Sequence, residues 1–335
     1  MARSLMAIVH MSTEQKPAEQ KPEMVFLTVT WAADRTHFSL LHHSLQLSAL
    51  RTVPHHVVVQ HEDLELFRSF ADERTQLHSS AEILPSDVEL KRNKARAWQR
   101  RLGRSATRLA GSLARHVGWP DWVRYTGWHT QQLTKLAFVA ASDVDTVVVM
   151  DSDVIVTPHA SAADFIEPGK IVCYRHERPA QALRGKVLHW QQTASRLLDD
   201  PFSVGASFDG YYDTPFVMHA PSVRALLAWL EQRYAQPWWL TLVQQPPRHW
   251  SEFGIYKQFL RHHQEQPVDW RGAEIMGYLF DAHDIEGLSH RFADLIARQH
   301  AHCITIHSQS SGRQLWTADS YGSAIRGELE KAYGT

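Results

Sequence analysis

Two cysteines in 335 residues, Cys173 and Cys303, stand far apart and form no CxxC pair. That excludes a disulfide framework and a structural zinc ribbon, and fits a reducing compartment. No run approaches the roughly 20 apolar residues that a bilayer-spanning helix needs. The opening MARSLMAIVHM has one Arg and an apolar stretch too short for a secretory leader. A cytoplasmic location is therefore expected. Internal repeats and low-complexity tracts are missing as well. Acid is missing from one region in particular. Residues 91–118 hold two Lys, seven Arg and no Asp or Glu, a block of +9, so the rest of the chain must carry −10 to give the overall −1. A neutral total built from opposed parts points to something anionic meeting the basic part.

What is present is an ordinary globular composition, 44% hydrophobic and 21% charged, able to bury a sizeable core. Residues 1–23 are polar and Pro-containing beyond the first eleven, and read as a disordered tail, with order beginning near Met24. From there to residue 335 a single catalytic domain is expected, interrupted by a basic helical insertion at about 91–118. MVFLTVTW (24–31) and HHVVVQ (55–60) read as strands, each followed by a helical pattern, and AEILP (81–85) as a third strand. GWHTQQLTKLAFVAAS (127–142) reads as an amphipathic helix and DTVVVM (145–150) as a strand buried on both faces. KIVCYR (170–175), PFVMHA (215–220) and CITIH (303–307) are further strands. The segments after Pro221 and over 251–263 are helices. Alternating strands and helices predict an α/β fold with a largely parallel sheet.

The strongest chemical signal is VVVMDSDVIV, residues 147–156. A buried strand delivers Asp151 and Asp153 at i and i+2, at the strand end where open α/β sheets bind ligands. If the backbone turns between them, both carboxylates aim at one ligand. Their repulsion then calls for a cation, and hard oxygen donors suit Mg²⁺ or Mn²⁺. Such an ion bridges the phosphates of a nucleoside diphosphate and stabilises the leaving group. Two plainer accounts stand beside this one. Asp after a strand is ordinary turn chemistry, and a strand followed by DxDx[TV] also marks Mg²⁺-dependent phosphatases of the haloacid dehalogenase type, in which Asp151 would be the nucleophile.

GWHTQQLTKLAF, VVVMDSDVIVTP, SEFGIYKQFL and ITIHSQS, taken in that order, resemble an uncharacterised bacterial family with a GT-A-like glycosyltransferase core. The resemblance spans roughly residues 24–312 outside the basic block. It implies a Rossmann-like fold with a mixed, mostly parallel central sheet, a nucleotide-sugar donor (UDP is the usual nucleotide) and a divalent metal. It leaves the sugar and the acceptor open, whether glycan, lipid-linked or natural product. It also implies that Asp153 ligates the metal, with Asp151 on the ribose or on metal-bound water, and that His307 is a third metal ligand. Thr28, Thr30 and Asp34, in TVTWAADR, would cradle the nucleotide, although a helix cap or turn accounts equally for Asp34. Lys135 would neutralise a phosphate or pair with Asp151, the plainer account being a surface lysine. Gln131 and Gln132 would hydrogen-bond the donor, and Arg313 would reach a phosphate. Glu252, at a helix start after Ser251, is the expected general base, with simple dipole complementation as the alternative. Asp213 is the second candidate base.

Trp238, Trp239, Trp250 and Trp270 are candidates to line an acceptor groove, or else core filling. In the basic block, Trp98, Leu102, Ala106, Leu109, Leu113 and Val117 recur every three or four residues between Arg and Lys, as in a basic amphipathic helix weakened by Gly103 and Gly111. A peripheral contact with an anionic membrane or a lipid-linked acceptor is expected of it, against a solvated insertion as the alternative. No nucleic-acid motif accompanies it, and no nucleic-acid partner is expected. A third reading of the whole chain is a non-catalytic sugar- or membrane-binding relic of the same fold.

Overall fold

The computed structural model describes residues 22–203, 205–279, 284–306 and 318–335. Nearly all of the tail expected over 1–23 lies outside these, as do His307 and Arg313.

The first half runs β1 (Met24–Val29), α1 (Arg35–Leu47), β2 (His55–Val59), α2 (Leu64–Phe67), β3 (Thr75–Ser79), α3 (Ser80–Ile83), α4 (Ser86–Val117), α5 (Trp128–Ala141) and β4 (Thr146–Val149). The second half continues with β5 (Val154–Val156), β6 (Ile171–Arg175), β7 (Glu177–Pro179), α6 (Gly185–Leu197), β8 (Ser207–Asp209) and β9 (Phe216–His219). It closes with α7 (Ala220–Tyr234), α8 (Trp238–Val243), α9 (Glu252–His262), β10 (Val268–Gly272), β11 (Met276–Leu279), α10 (Ile285–Ala297), β12 (Cys303–Ile306) and α11 (Ala318–Tyr333).

The central sheet has the order β3-β2-β1-β4-β9. Its first four strands are parallel and β9 is antiparallel to β4. The fold is thus α/β with a mixed, mostly parallel central sheet, as the GT-A resemblance implies. β1 is buried at every residue and β4 at three of four, as continuous apolar strands covered on both faces should be. A second sheet, β11-β12-β5, has β12 antiparallel to β5 and parallel to β11. It packs with α10, α11 and Leu40 of α1 into a smaller apolar cluster around Leu288, Phe292, Ile304 and Ile325.

The third strand is not where the apolar run placed it. TQLHS (75–79) pairs with β2, and AEI of AEILP forms the short helix α3 instead. Ser79 and Glu82 make a reciprocal capping box at its start, satisfying end amides that a strand would have paired differently. The helix expected after β2 shrinks to α2 and a following turn at Arg68–Phe70. Helix α5 is no surface amphipath, because His129, Gln132, Leu133, Lys135, Leu136 and Val139 are all buried.

Topology places the site. The chain steps outward from β1 to β2 to β3, then returns to lay β4 on the other side of β1. The carboxyl ends of β1 and β4 therefore flank the point where strand order reverses, the usual crevice of open α/β sheets.

Candidate active site around the Asp151–Asp153 turn

Directly after β4 the backbone turns. The amide of Val154 donates to the Asp151 carbonyl at 3.1 Å, so Asp151, Ser152 and Asp153 form a tight turn leading into β5. Four neighbours hold it. Ser152, buried between the two acids, donates its hydroxyl to Thr30 Oγ1 at 2.7 Å and so fastens the turn to the end of β1. The Asp151 amide donates to Thr214 Oγ1 at 3.1 Å. The Ile306 amide donates to the Asp153 carbonyl at 2.8 Å, so β12 grips the turn from the second sheet. The fourth is Lys135.

The Lys135 ammonium is 2% exposed and lies 2.9 Å from Asp151 Oδ1 and 3.2 Å from Glu252 Oε1. Burial pulls its pKa down, but the Asp151 and Glu252 carboxylates outweigh that and hold it above the ordinary lysine value. Glu252 is the converse case. Burial raises its carboxyl pKa, and Lys135 only partly offsets the shift. One cation between two carboxylates leaves the half-exposed Asp151 as its hydrogen-bonded partner and the sealed Glu252 at the back. Glu252 is only 1% exposed, so it is shut off from any acceptor entering from solvent. Its amide donates to Gln132 Oε1 at 3.3 Å, which ties α9 to α5. Ser251, in the N-cap position, makes no side-chain cap.

The other expected residues divide. Thr30 is in the cluster. Thr28 is completely buried, its hydroxyl 2.9 Å from His55 Nε2, within the sheet rather than at the crevice. Gln131 donates to the Val29 carbonyl at 3.2 Å and fixes α5 against the end of β1. Asp34 accepts from the Trp31 indole at 2.7 Å, with the Trp31 ring half-exposed just past β1. Asp213 is exposed beside Thr214, the residue that holds the Asp151 amide, and its charge adds to the burial that raises the Tyr278 phenol. His307 follows Ile306 directly in the chain, but it and Arg313 lie outside the described residues. Trp250 is fully buried and Trp239 nearly so, which makes them core rather than groove.

Three residues were missed: Ser152, Thr214 and Trp31. The hydroxyl between the two acids was a usable signal for Ser152, and a Trp ending the apolar run MVFLTVTW for Trp31. For Thr214 the sequence offers no signal, since its role exists only once β9 lies beside β4.

Among the described residues no group of three or more His, Cys, Asp or Glu converges as a complete protein-only metal cage. The pair Asp151 and Asp153, on one tight turn, supplies hard oxygen donors of the kind Mg²⁺ and Mn²⁺ take. Those ions usually complete their shells with water and substrate phosphate rather than protein. The donor set therefore fits a divalent cation shared with a phosphorylated ligand.

The pattern defining the family of unknown function DUF6492 matches residues 24–270, from β1 into β10. The chain belongs to this family. Among proteins of curated function, none matches it. Among solved structures it is similar to the galactosyltransferase LgtC in complex with donor and acceptor sugar analogs, at 10% identity and a TM-score of 0.45, over 91% of this chain and 100% of that one. It is also similar to mouse xyloside xylosyltransferase 1 in its apo form, at 10% identity and a TM-score of 0.40, over 85% of this chain and 98% of that one. At these values neither likeness bears on activity.

Proposed function

We propose that this DUF6492 chain is a metal-dependent glycosyltransferase of GT-A type, moving a sugar from a nucleoside-diphosphate donor, UDP-linked by preference, to an acceptor hydroxyl. The observation that carries the reading is the acidic turn at the sheet's reversal point, with Asp151 hydrogen-bonded to a lysine buried against Glu252. Asp153 and Asp151 would hold the divalent ion, with His307 completing the protein ligands, and the ion would supply charge neutralisation for the departing diphosphate. The protein's own part is preorganisation. Lys135 fixes one Asp151 oxygen, leaving the other for the ligand, and adds positive charge near the phosphates. Thr30 and Ser152 lock the turn. Trp31 and Asp34 would border the nucleotide's place, and we assign a phosphate contact to Arg313, which lies outside the described residues.

Glu252 we assign to positioning, because a sealed carboxylate that neutralises Lys135 is poorly placed to meet an acceptor. The exposed Asp213 carboxylate is better placed to take the acceptor's proton. We read residues 24–335 as one catalytic domain. The two cysteines, both free and buried, support a reducing, cytoplasmic setting. The phosphatase reading gains no specific observation, since its motif strand normally opens the domain and β4 here is the fourth strand of the chain.

Release of UDP from a panel of UDP-sugars in the presence of Mn²⁺ tests the assignment. One sugar should be turned over, with Asp213→Asn slowed by about 100-fold or more. No turnover of any nucleotide-sugar, together with a phosphoenzyme trapped on Asp151, would replace the reading with phosphoryl transfer.

A further inference from the structure

The basic segment α4 is built inside out. Its backbone breaks at Gly103, which sits at φ 76° and ψ 176°, and it ends at Gly118, left-handed at φ 73°. In the second segment the residues turned inward are small, Ala110 and Ala114. Those turned outward are large: Leu109, Leu113 and Val117, spaced by four and so on one helical face, are 64%, 38% and 68% exposed. In the first segment Val88 and Ala95 are buried, while Trp98 and Leu102 face solvent. A helix packed on a core does the opposite. Of the ten exposed large apolar side chains among the described residues, seven fall between 90 and 119. Concentration on that scale marks an interaction surface rather than the ordinary scatter of exposed hydrophobics.

Charge decides what covers it. Lys94, Arg100, Arg101 and Arg108 are exposed on the same segment, and the Arg101 guanidinium lies 5.9 Å from the Trp98 ring centre. Residues 91–118 contain no acid, and of their nine basic residues Arg92 and Arg96 are paired with Glu89 and Glu62 from outside the block. Pairing this face with a second copy would set its exposed cations, Lys94, Arg100, Arg101 and Arg108, against the same cations, which opposes association. Phosphate alone, as in nucleic acid, would satisfy the arginines and leave the Leu and Trp side chains wet. A surface with anionic heads over an apolar layer satisfies both, with the long cationic stems reaching outward while the apolar face sinks in. The first segment of α4 is tied to the sheet. Arg96 is bonded to Gln60 and Glu62, directly past the carboxyl end of β2, the same end of the parallel strands at which the acidic turn follows β4.

We propose that α4 is a docking surface for an anionic lipid bilayer, made by the exposed Trp98 and Leu102 before the break at Gly103 and the exposed stripe of Leu109, Leu113 and Val117 after it, together with Arg100, Arg101 and Arg108. This is independent of the glycosyltransferase reading, because it concerns a surface and not the site.

The test is flotation of the full chain with phosphatidylcholine vesicles, with and without phosphatidylglycerol. The protein should float with the anionic vesicles and bind neutral ones at least about tenfold more weakly. Binding should fall as salt is raised, since exposed charges are screened. Two variants, Leu109→Ser/Leu113→Ser/Val117→Ser and Arg100→Gln/Arg101→Gln/Arg108→Gln, should each lose binding while keeping the wild-type melting temperature. Only exposed side chains change, and the charge variant preserves the apolar stripe should the first fail to fold. Absence of wild-type binding to anionic vesicles, or equal binding by the charge variant, overturns the proposal. So does a dimer in light scattering that the Ser variant converts to monomer, because the stripe would then cover a second copy.

Discussion

At the scale of single residues the account turns on Lys135. Its ammonium is a single positive charge shared by two carboxylates, one of them buried. Removing it strands Glu252, so Lys135→Met should destabilise by about 3–5 kcal/mol, the usual cost of breaking a buried ion pair from one side. Glu252→Gln should cost less, because burial already raises the Glu252 pKa and so favours its neutral form. The double variant should recover part of the loss, which urea unfolding of all three proteins would show as a coupling energy. If the two losses simply add, the residues do not form a unit. The sequence showed Lys135 and Glu252 as separate candidates. It could not show that they meet, because α5 carries Gln, Thr and Lys on what looks like a solvent face, and only its burial between β1, α7 and α9 reveals otherwise. Asp151 and Asp153 were legible because a run of β-branched residues ending in acids is a local pattern. Ser152 and Thr214 depend on strands that are neighbours only in space.

At the scale of elements, the apolar-periodic segments were read correctly: β1, β2, β4, β6, β9, β12, α5, α7 and α9. The error over 75–85 is instructive. β3 carries Thr, Gln, His and Ser, with its two buried ends hydroxylic, so it lacks the apolar signature. The S-x-x-E box that closes it was visible at Ser79 and Glu82 and should have outweighed the apolar AEIL. In α4 both glycines were expected to weaken the helix, but they behave differently. Gly103 occupies a backbone region open essentially to glycine alone, and Gly103→Ala should cost about 1–3 kcal/mol. Gly111 is helical, with open space where a Cβ would stand, and Gly111→Ala should instead stabilise by about 0.4–1 kcal/mol. Melting temperatures of the two variants should move in opposite directions. A shared direction would mean that the break at Gly103 is not part of the native fold.

At the scale of the whole molecule, three histidines, His55 and His129 buried and His56 half-buried, predict acid sensitivity. Burial lowers His55 and His129 to about 3 and His56 to about 4, from an ordinary 6.5. A depressed pKa means that the folded state binds fewer protons than the unfolded one. The stability these groups contribute is complete above pH 6.5 and drains away as pH falls toward 3–4. Each adds up to about 1.4 kcal/mol per pH unit of slope inside that window. The melting temperature should fall steadily as pH is lowered from 6.5 to 4, and His55→Gln should flatten the dependence. A flat wild-type profile would mean that these rings take up protons without unfolding.

The opposed charges of the whole chain were countable from the sequence. Which face of the basic helix looks outward was not, because periodicity cannot tell an apolar stripe that packs from one that waits for a partner. The central claim, that the acidic turn at the sheet's reversal point binds a nucleoside diphosphate through a divalent ion, is tested most directly by calorimetric titration of UDP and UDP-sugars. Wild type and Asp153→Ala would be compared, with and without Mn²⁺. The account predicts saturable wild-type binding that requires the metal and disappears in the variant. A folded wild-type protein that binds no nucleotide, or a variant that binds as well as wild type with the metal removed, would contradict it.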